Sequence, residues 1–317
     1  MPPVDRNHPT RQASSESQYT LMQFMREFPD DAACLEWLWR NRYSEDGEHA
    51  YCSKCGVERT FKRYATAQQR QSWTCTACGL HIHPTAGTIF HKSSTSLHLW
   101  FYAMYLMTST RCGISAKQME RELGVTYKTA WRMANLIRNE LMDQEFEVLD
   151  GQVEIDETYV GGKRKGSRGG RPRAGDPHKK PVLGMVERDG RVVATTVDNV
   201  RSATLMPQII ERVLPTATVY TDELKSYDKL VRHGYEHNRI YHGAGVYVSG
   251  DVHTNTIEGF WSLVKRGIGG VYHSVSQKHL QGYLNEYAWR YSNRHHPEGL
   301  FRLILLRAAD AVDPRTA

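Results

Sequence analysis

The 317-residue chain is 40% apolar and 10% aromatic, long enough for two or three domains and too apolar to stay unfolded. Its longest apolar runs, such as Leu97 to Met107, fall well short of the roughly 20 residues of a bilayer-spanning helix, which argues against a transmembrane role. Forty-one Lys and Arg against 35 Asp and Glu leave a net charge of +6, which permits a polyanionic partner without requiring one.

Residues 1–20 are polar and Pro/Ser-rich, with no apolar stretch of signal-peptide type, and read as a flexible tail on a protein that works inside a cell. Helical spacing of Leu21, Phe24, Met25 and Phe28, then Cys34, Leu35 and Leu38, predicts two short helices within 21–49. A cysteine module follows at 50–84. Residues 92–145 are helical, with one helix at about 94–108 and two more after the break at Cys112-Gly113. From Gln152 the pattern changes to short strands at about 152–160, 181–188, 191–198, 218–221 and 236–241, with a helix at about 202–214. Further helices cover about 256–308, and 309–317 is a second tail. The whole is a multidomain α+β chain. Three strands, a helix, a strand, a connector and a strand is the order of an RNase H-like mixed sheet, in which acids on neighbouring strands meet at one edge; this predicts an α/β catalytic domain over 150–308.

Cys52/Cys55 and Cys75/Cys78 are two CxxC pairs with 19 residues between them, the spacing of a zinc ribbon. Gly56 and Gly79 follow the pairs and let the backbone turn so that amides face the thiolates. Four thiolates fill a tetrahedral shell, so one zinc here is structural. His81 and His83 compete as ligands, and Cys34 and Cys112 read as buried apolar residues.

In SAKQMERELGVTYKTAWRMANLIR a helix opens at Ser115, ends near Gly124 and is followed by a second from about Tyr127, which fits helix-turn-helix geometry. Thr126, Tyr127, Lys128 and Arg132 form the leading face toward DNA, while Ala130, Met133 and Ile137 pack inward.

Asp156 lies in VEIDETYVGGK, a strand ending in glycines, and Asp222 ends another short strand in ATVYTDE. Carboxylates on adjacent strand ends suit two Mg2+ (or Mn2+) ions, hard cations that take oxygen ligands. HTNTIEGFWSLVKRG supplies a helix to lie across that edge: Ile257, Phe260, Trp261 and Val264 form an apolar stripe, and Asn255, Glu258, Ser262 and Lys265 share another face. Glu157 and Glu223, next to the two aspartates, should point to the opposite face if the strands continue. His253 and His242 are candidates to assist water or phosphate.

This succession of zinc ribbon, helical segment, VEIDETYVGGK, YTDE, HTNTIEGFWSLVKRG and a helix ending YSNRHHP resembles insertion-sequence transposases with an ISXO-like DDE domain, over about residues 20–307. The resemblance implies an RNase H-like core, two divalent ions, terminal inverted repeats as substrate and strand transfer through a free 3'-OH. It implies that Asp156 and Asp222 are the first two catalytic acids and Lys265 the lysine after the third. The third position is Glu258 or Asn255; Glu258 is favoured because an anionic ligand neutralises Mg2+ better and because Lys265 follows it by two helical turns. The partner expected is double-stranded DNA, as element ends and target, bound by a homo-oligomer in the cytoplasm at the nucleoid. A nuclease of the same fold that only hydrolyses, or a non-enzymatic DNA-binding regulator, is the rival reading.

The stretch 161–180 carries Lys163, Arg164, Lys165, Arg168, Arg171, Arg173, Lys179 and Lys180 against one acid, Asp176. Placed straight after the first catalytic strand, such a basic loop would neutralise phosphates and become ordered on DNA.

Overall fold

Thr20 accepts from the Gln23 amide while the Gln23 side chain accepts from the Thr20 amide, so a capping box opens α1 (Leu21–Glu27). Asp30 caps α2 (Asp31–Arg42) through Ala33, and Ser96 caps α3 (Leu97–Ser109) through Leu99. The computed structural model describes residues 19–64, 71–110, 112–144, 147–161, 179–240 and 253–310. The chain divides into two compact units, one from the described parts of 1–111, 119–141 and 294–317, the other from 112–118 and 142–293. Among the described residues no helix is long and apolar enough to cross a membrane.

In the first unit the apolar faces of α1 and α3 meet in an aromatic core, with the Phe28 and Phe101 ring centroids 5.1 Å apart. The last described helix, Gly299–Asp310, joins this core: Phe301 packs on Phe24 at 5.8 Å and Arg302 pairs with Glu27 at 2.6 Å. The sequence pattern groups this helix with the domain at 150–308, whereas the structure places it in the first unit, where it packs on α2 and α3 with Phe301, Ile304 and Leu305 buried. The strands β1 (His49–Cys52), β2 (Val57–Tyr64), β3 (Ser72–Cys75) and β4 (His81–Ile82) form an antiparallel sheet in that order. Trp73 of β3 stacks on Trp39 of α2 at 4.8 Å, tying the cysteine module to the helices.

Helix α4 (Ala116–Leu123) ends at Gly124, whose φ of +64° supplies the left-handed turn, and Thr126 caps α5 (Tyr127–Leu136) through Thr129. Ala130 and Met133 are buried, and Tyr127, Lys128 and Arg132 are exposed.

The second unit is built on a mixed sheet of β5 (Gln152–Gly161), β6 (Lys179–Glu187), β7 (Val192–Thr196), β8 (Thr218–Thr221) and β9 (Glu236–Arg239), in the order β7-β6-β5-β8-β9. The β5–β6 and β6–β7 pairs are antiparallel; β5–β8 and β8–β9 are parallel. Helix α6 (Ser202–Arg212) covers one face, where Val153, Ile155, Leu183 and Met185 join Leu205 and Ile209. Helices α7 (Asn255–Gly267) and α8 (Leu280–Ser292) cover the other, where Val160, Val182 and Val186 join Ile257, Phe260, Trp261 and Leu284. Strand alternation explains this: odd positions of β5 and β6 face α6, even positions face α7.

Side chains close the β7 edge of the sheet. Gln144 accepts from the Ala194 amide at 2.8 Å and donates to its carbonyl at 3.1 Å, Gln281 accepts from the Thr196 amide at 2.9 Å, and the Ser292 hydroxyl accepts from the Val192 amide at 3.0 Å.

Candidate active site and metal centre

Cys52 ends β1 and Cys55 lies in the turn to β2, while Cys75 ends β3 and Cys78 lies in the turn after it. Their four sulfur atoms all lie within 4.8 Å of one another, and none of the four is in a disulfide. Gly56 (φ +71°) and Gly79 (φ +74°) donate to the Cys52 and Cys75 carbonyls, closing the two tight turns. Burial raises the Cys75 thiol, but the Cys78 and Ala77 amides aimed at it outweigh this and bring it down to about 7. A converging set of four soft sulfur donors is compatible with a zinc ribbon. His81 is engaged elsewhere, its Nδ1 lying 2.8 Å from the Thr74 hydroxyl.

The second cluster sits where β8 stops. Strand β5 pairs with β8 only from Gln152 to Ile155, then runs on against β6 alone to Gly161. Asp156 is thus the first residue of β5 past the end of β8, and Asp222 the first residue after β8. Carboxylate oxygens of Asp156, Glu157 and Asp222 lie within 4.8 Å of one another. Glu157 was expected to face away. It does leave β5 on the α6 side, where the Tyr227 hydroxyl donates to it at 2.9 Å, but with β8 absent beside it both faces of β5 open onto the gap that Asp222 occupies. Asp222 is held by the Leu224 amide at 2.9 Å. An open groove of about 340 Å³ runs over the cluster and is also lined by Thr158, Tyr159, Lys179 and Lys265.

Crowding shows in the electrostatics. Burial first, then the charges of Asp222 and Glu258, push the Asp156 carboxyl up from 3.8 to about 6, against the hydrogen bonds it accepts from the Glu157 amide and Trp261. Burial and the neighbouring acids, Glu157 foremost, hold the Tyr227 hydroxyl well above its ordinary value, so it stays a donor. Hard oxygen donors that repel one another fit a divalent cation such as Mg2+ or Mn2+.

Helix α7 lies across the even face of β5. Trp261, expected only to pack, is buried and also donates from Nε1 to Asp156 Oδ2 at 3.1 Å. Its ring lies over Gly184, the β6 residue paired with Asp156, where a Cβ would collide with the indole. Lys265 reaches the groove, and Glu258 is near enough to raise Asp156, although it lies outside the three-carboxylate cluster. Glu258 accepts from the Thr254 hydroxyl at 3.3 Å, and Asn255 is exposed at the start of the helix. In the other unit Arg132 lies 5.7 Å from the Trp100 ring. Lys163, Arg164, Lys165, Arg168 and His242 lie outside the described residues.

Sequence reasoning passed over Glu154, a fully buried acid on the same face of β5 as Asp156. The available signal was the run Glu154, Asp156, Thr158, three polar residues on one face of a strand whose partner β6 offers Val182 and Val186 to that face.

The chain that holds these two ligand clusters is similar to known mobile-element proteins. Residues 148–292 match the ISXO2-like transposase domain. An uncharacterized protein in transposable element ISH50 of Halobacterium salinarum is 31% identical over 265 residues, 80% of this chain and 86% of that protein. An uncharacterized transposase-like protein of Haemophilus influenzae is 37% identical over 103 residues, 32% of this chain and 82% of that protein. The class is that of insertion-sequence transposases. Within it, the chain belongs to the family that carries the ISXO2-like transposase domain.

Proposed function

We propose that this transposase binds the terminal inverted repeats of its insertion sequence and catalyses metal-dependent strand cleavage and strand transfer with an RNase H-like core. The observation that carries the reading is the meeting of Asp156 and Asp222 at the step where β8 ends, with Lys265 in the same groove. The order β7-β6-β5-β8-β9, antiparallel on one side of β5 and parallel on the other, supports the RNase H-like assignment.

Asp156 and Asp222 hold the metal ions, with Glu258 as the third acid from α7 and Asn255 as the alternative one turn before it. Two bound Mg2+ or Mn2+ ions supply activation of the attacking oxygen and neutralisation of the leaving oxygen. Trp261 fixes the Oδ2 oxygen of Asp156 at the groove. Lys265 and Lys179 meet the phosphodiester, and the basic loop that holds Lys163, Arg164, Lys165 and Arg168 neutralises its flanks. Cys52, Cys55, Cys75 and Cys78 hold one structural zinc. Their ribbon reads the element ends together with the exposed Lys128 and Arg132 of α5, in a homo-oligomer assembled on nucleoid DNA in the cytoplasm.

The test is incubation with the DNA flanking the protein's own gene and Mg2+, scoring nicked and joined products. Metal-dependent joined products support the reading; nicks without joining indicate a nuclease, and binding without cleavage a regulator. In the same assay Glu258→Gln should nearly abolish cleavage and raise the Mg2+ requirement, with Asn255→Ala milder. The reverse pattern makes Asn255 the third ligand, and parental activity in both removes α7 from the site.

A further inference from the structure

The N-terminus of α7 is capped from a strand. Thr254, at the N-cap, turns its hydroxyl to Glu258 and makes no side-chain bond to the first amides of the helix. Those amides would otherwise lack partners. Glu154 of β5, wholly buried, accepts from the Thr256 amide at 2.8 Å, the Ile257 amide at 3.0 Å and the Thr256 hydroxyl at 3.0 Å. Arg188, just past β6, donates to the same carboxylate at 2.8 Å, and His253 Nδ1 lies 3.0 Å from it. Arg188 is itself fixed, donating to Gln152 Oε1 at 3.1 Å and to the His253 carbonyl at 3.0 Å, with its guanidinium 4.3 Å from the Tyr220 ring.

Two residues on, Asp156 of the same strand face accepts from Trp261, four residues past Ile257 on the helix. Two residues of strand advance about 6.6 Å and four residues of helix about 6 Å, so the two attachments are in step. A slip of α7 by one turn, about 5.4 Å, would break both and carry Glu258 and Lys265 away from Asp156.

We infer that Glu154 is a positioning residue: held by Arg188, it pins the first turn of α7 to β5 and, with the Trp261–Asp156 bond, sets the place of Glu258 and Lys265 along the active-site edge. The inference rests on the proposed role of α7 in DNA cleavage. A carboxylate that accepts helix amides over about a hundred residues of chain forms its cap only when the helix is docked in register, which a local Ser or Asp cap does not require.

Glu154→Gln keeps the size of the side chain and replaces an acceptor oxygen by a donor that opposes the amides. Hydrogen exchange of the full-length protein should quicken by about tenfold or more at Thr256 and Ile257 while β6 stays protected. Cleavage of the end-containing duplex should fall about 10- to 100-fold with a raised Mg2+ requirement, and binding of that duplex should change less than about twofold. Thr256→Val, which removes one donor from the helix side, serves if Glu154→Gln does not fold. It should quicken exchange in the same turn and lower cleavage a few-fold, and Thr256→Ser should restore both. Unchanged exchange at the two amides overturns the pin, as does parental cleavage with an unchanged Mg2+ requirement in a variant whose α7 exchange has quickened. Quickened exchange in a protein whose parent cuts no DNA upholds the pin and overturns the functional reading instead.

Discussion

The four thiols and the three carboxylates are both convergent ligand sets, but they stand in opposite relations to the fold around them. The thiols come from the strand ends and turns of one small four-stranded sheet: β2 is exposed along most of its length, with Phe61 its one buried residue, and β3 is buried where Trp73 stacks on Trp39. A zinc held there, as proposed, would add to the stability of a module that small. The carboxylates are held by a large sheet packed on both faces, which brings them together against their own repulsion. On the proposed reading the first ligand set supports its fold, whereas at the second the fold gathers the ligands.

The largest effect that would break this contrast is chemical. Asp156→Asn and Asp222→Asn should each lower metal-dependent cleavage by about three orders of magnitude, the scale on which a central electrostatic group matters, as measured on the end-containing duplex. The same changes should leave the metal-free melting temperature unchanged or higher, since a crowded charge is gone. Cys75→Ser should do the reverse to its own region. Metal analysis should fall from one zinc per chain to none, β1–β4 should lose exchange protection, and end binding should weaken, while the mixed sheet keeps its protection. If Cys75→Ser leaves the ribbon as protected as before, the sulfurs do not build it.

Acid sharpens the comparison with a smaller effect. Asp156 binds its proton more tightly in the folded chain, at about 6, than in the unfolded one, near 3.8. The folded state therefore holds the extra proton between these values, and metal-free stability falls as pH rises from about 4 to 6, by up to about 3 kcal/mol at 1.36 kcal/mol per unit. Above pH 6 the full repulsion is present, so Mg2+ should raise the melting temperature more at pH 8 than at pH 5. Asp156→Asn should flatten that difference. At the thiols acid should work the other way, releasing the proposed zinc as sulfur is protonated. An Mg2+ effect independent of pH would separate Asp156 from the metal site.

The pattern that could be read from sequence was the one written in periodicity. Strand alternation placed the 152–160 strand within a residue of β5, and the apolar stripe of HTNTIEGFWSLVKRG placed the packing face of α7 as found. The cysteine spacing anticipated the converging sulfurs because the ligands lie in two local turns. What escaped depended on where strands end relative to one another. Glu157 reaches the acid cluster because β8 stops at Thr221, a length that alternation in β5 does not encode. Glu154 escaped because an acid between Val153 and Ile155 reads as a solvent-facing strand residue, and only the arrival of Arg188 and α7 from distant segments makes its burial tolerable. The helix at 299–310 carries an apolar face that would suit either unit, and nothing local to it says which.

The closure of β7 bears on how copies of this chain can meet. An outer strand with free amides and carbonyls is an invitation to extend the ladder with a neighbour's strand, the route to swapped or fibrous assemblies. Here Gln144, Gln281 and Ser292 already occupy the Val192, Ala194 and Thr196 positions that such a strand would need. Copies of the chain that meet are thereby steered away from strand addition at that border. Even at high local concentration the mixed sheet does not recruit the next molecule through β7.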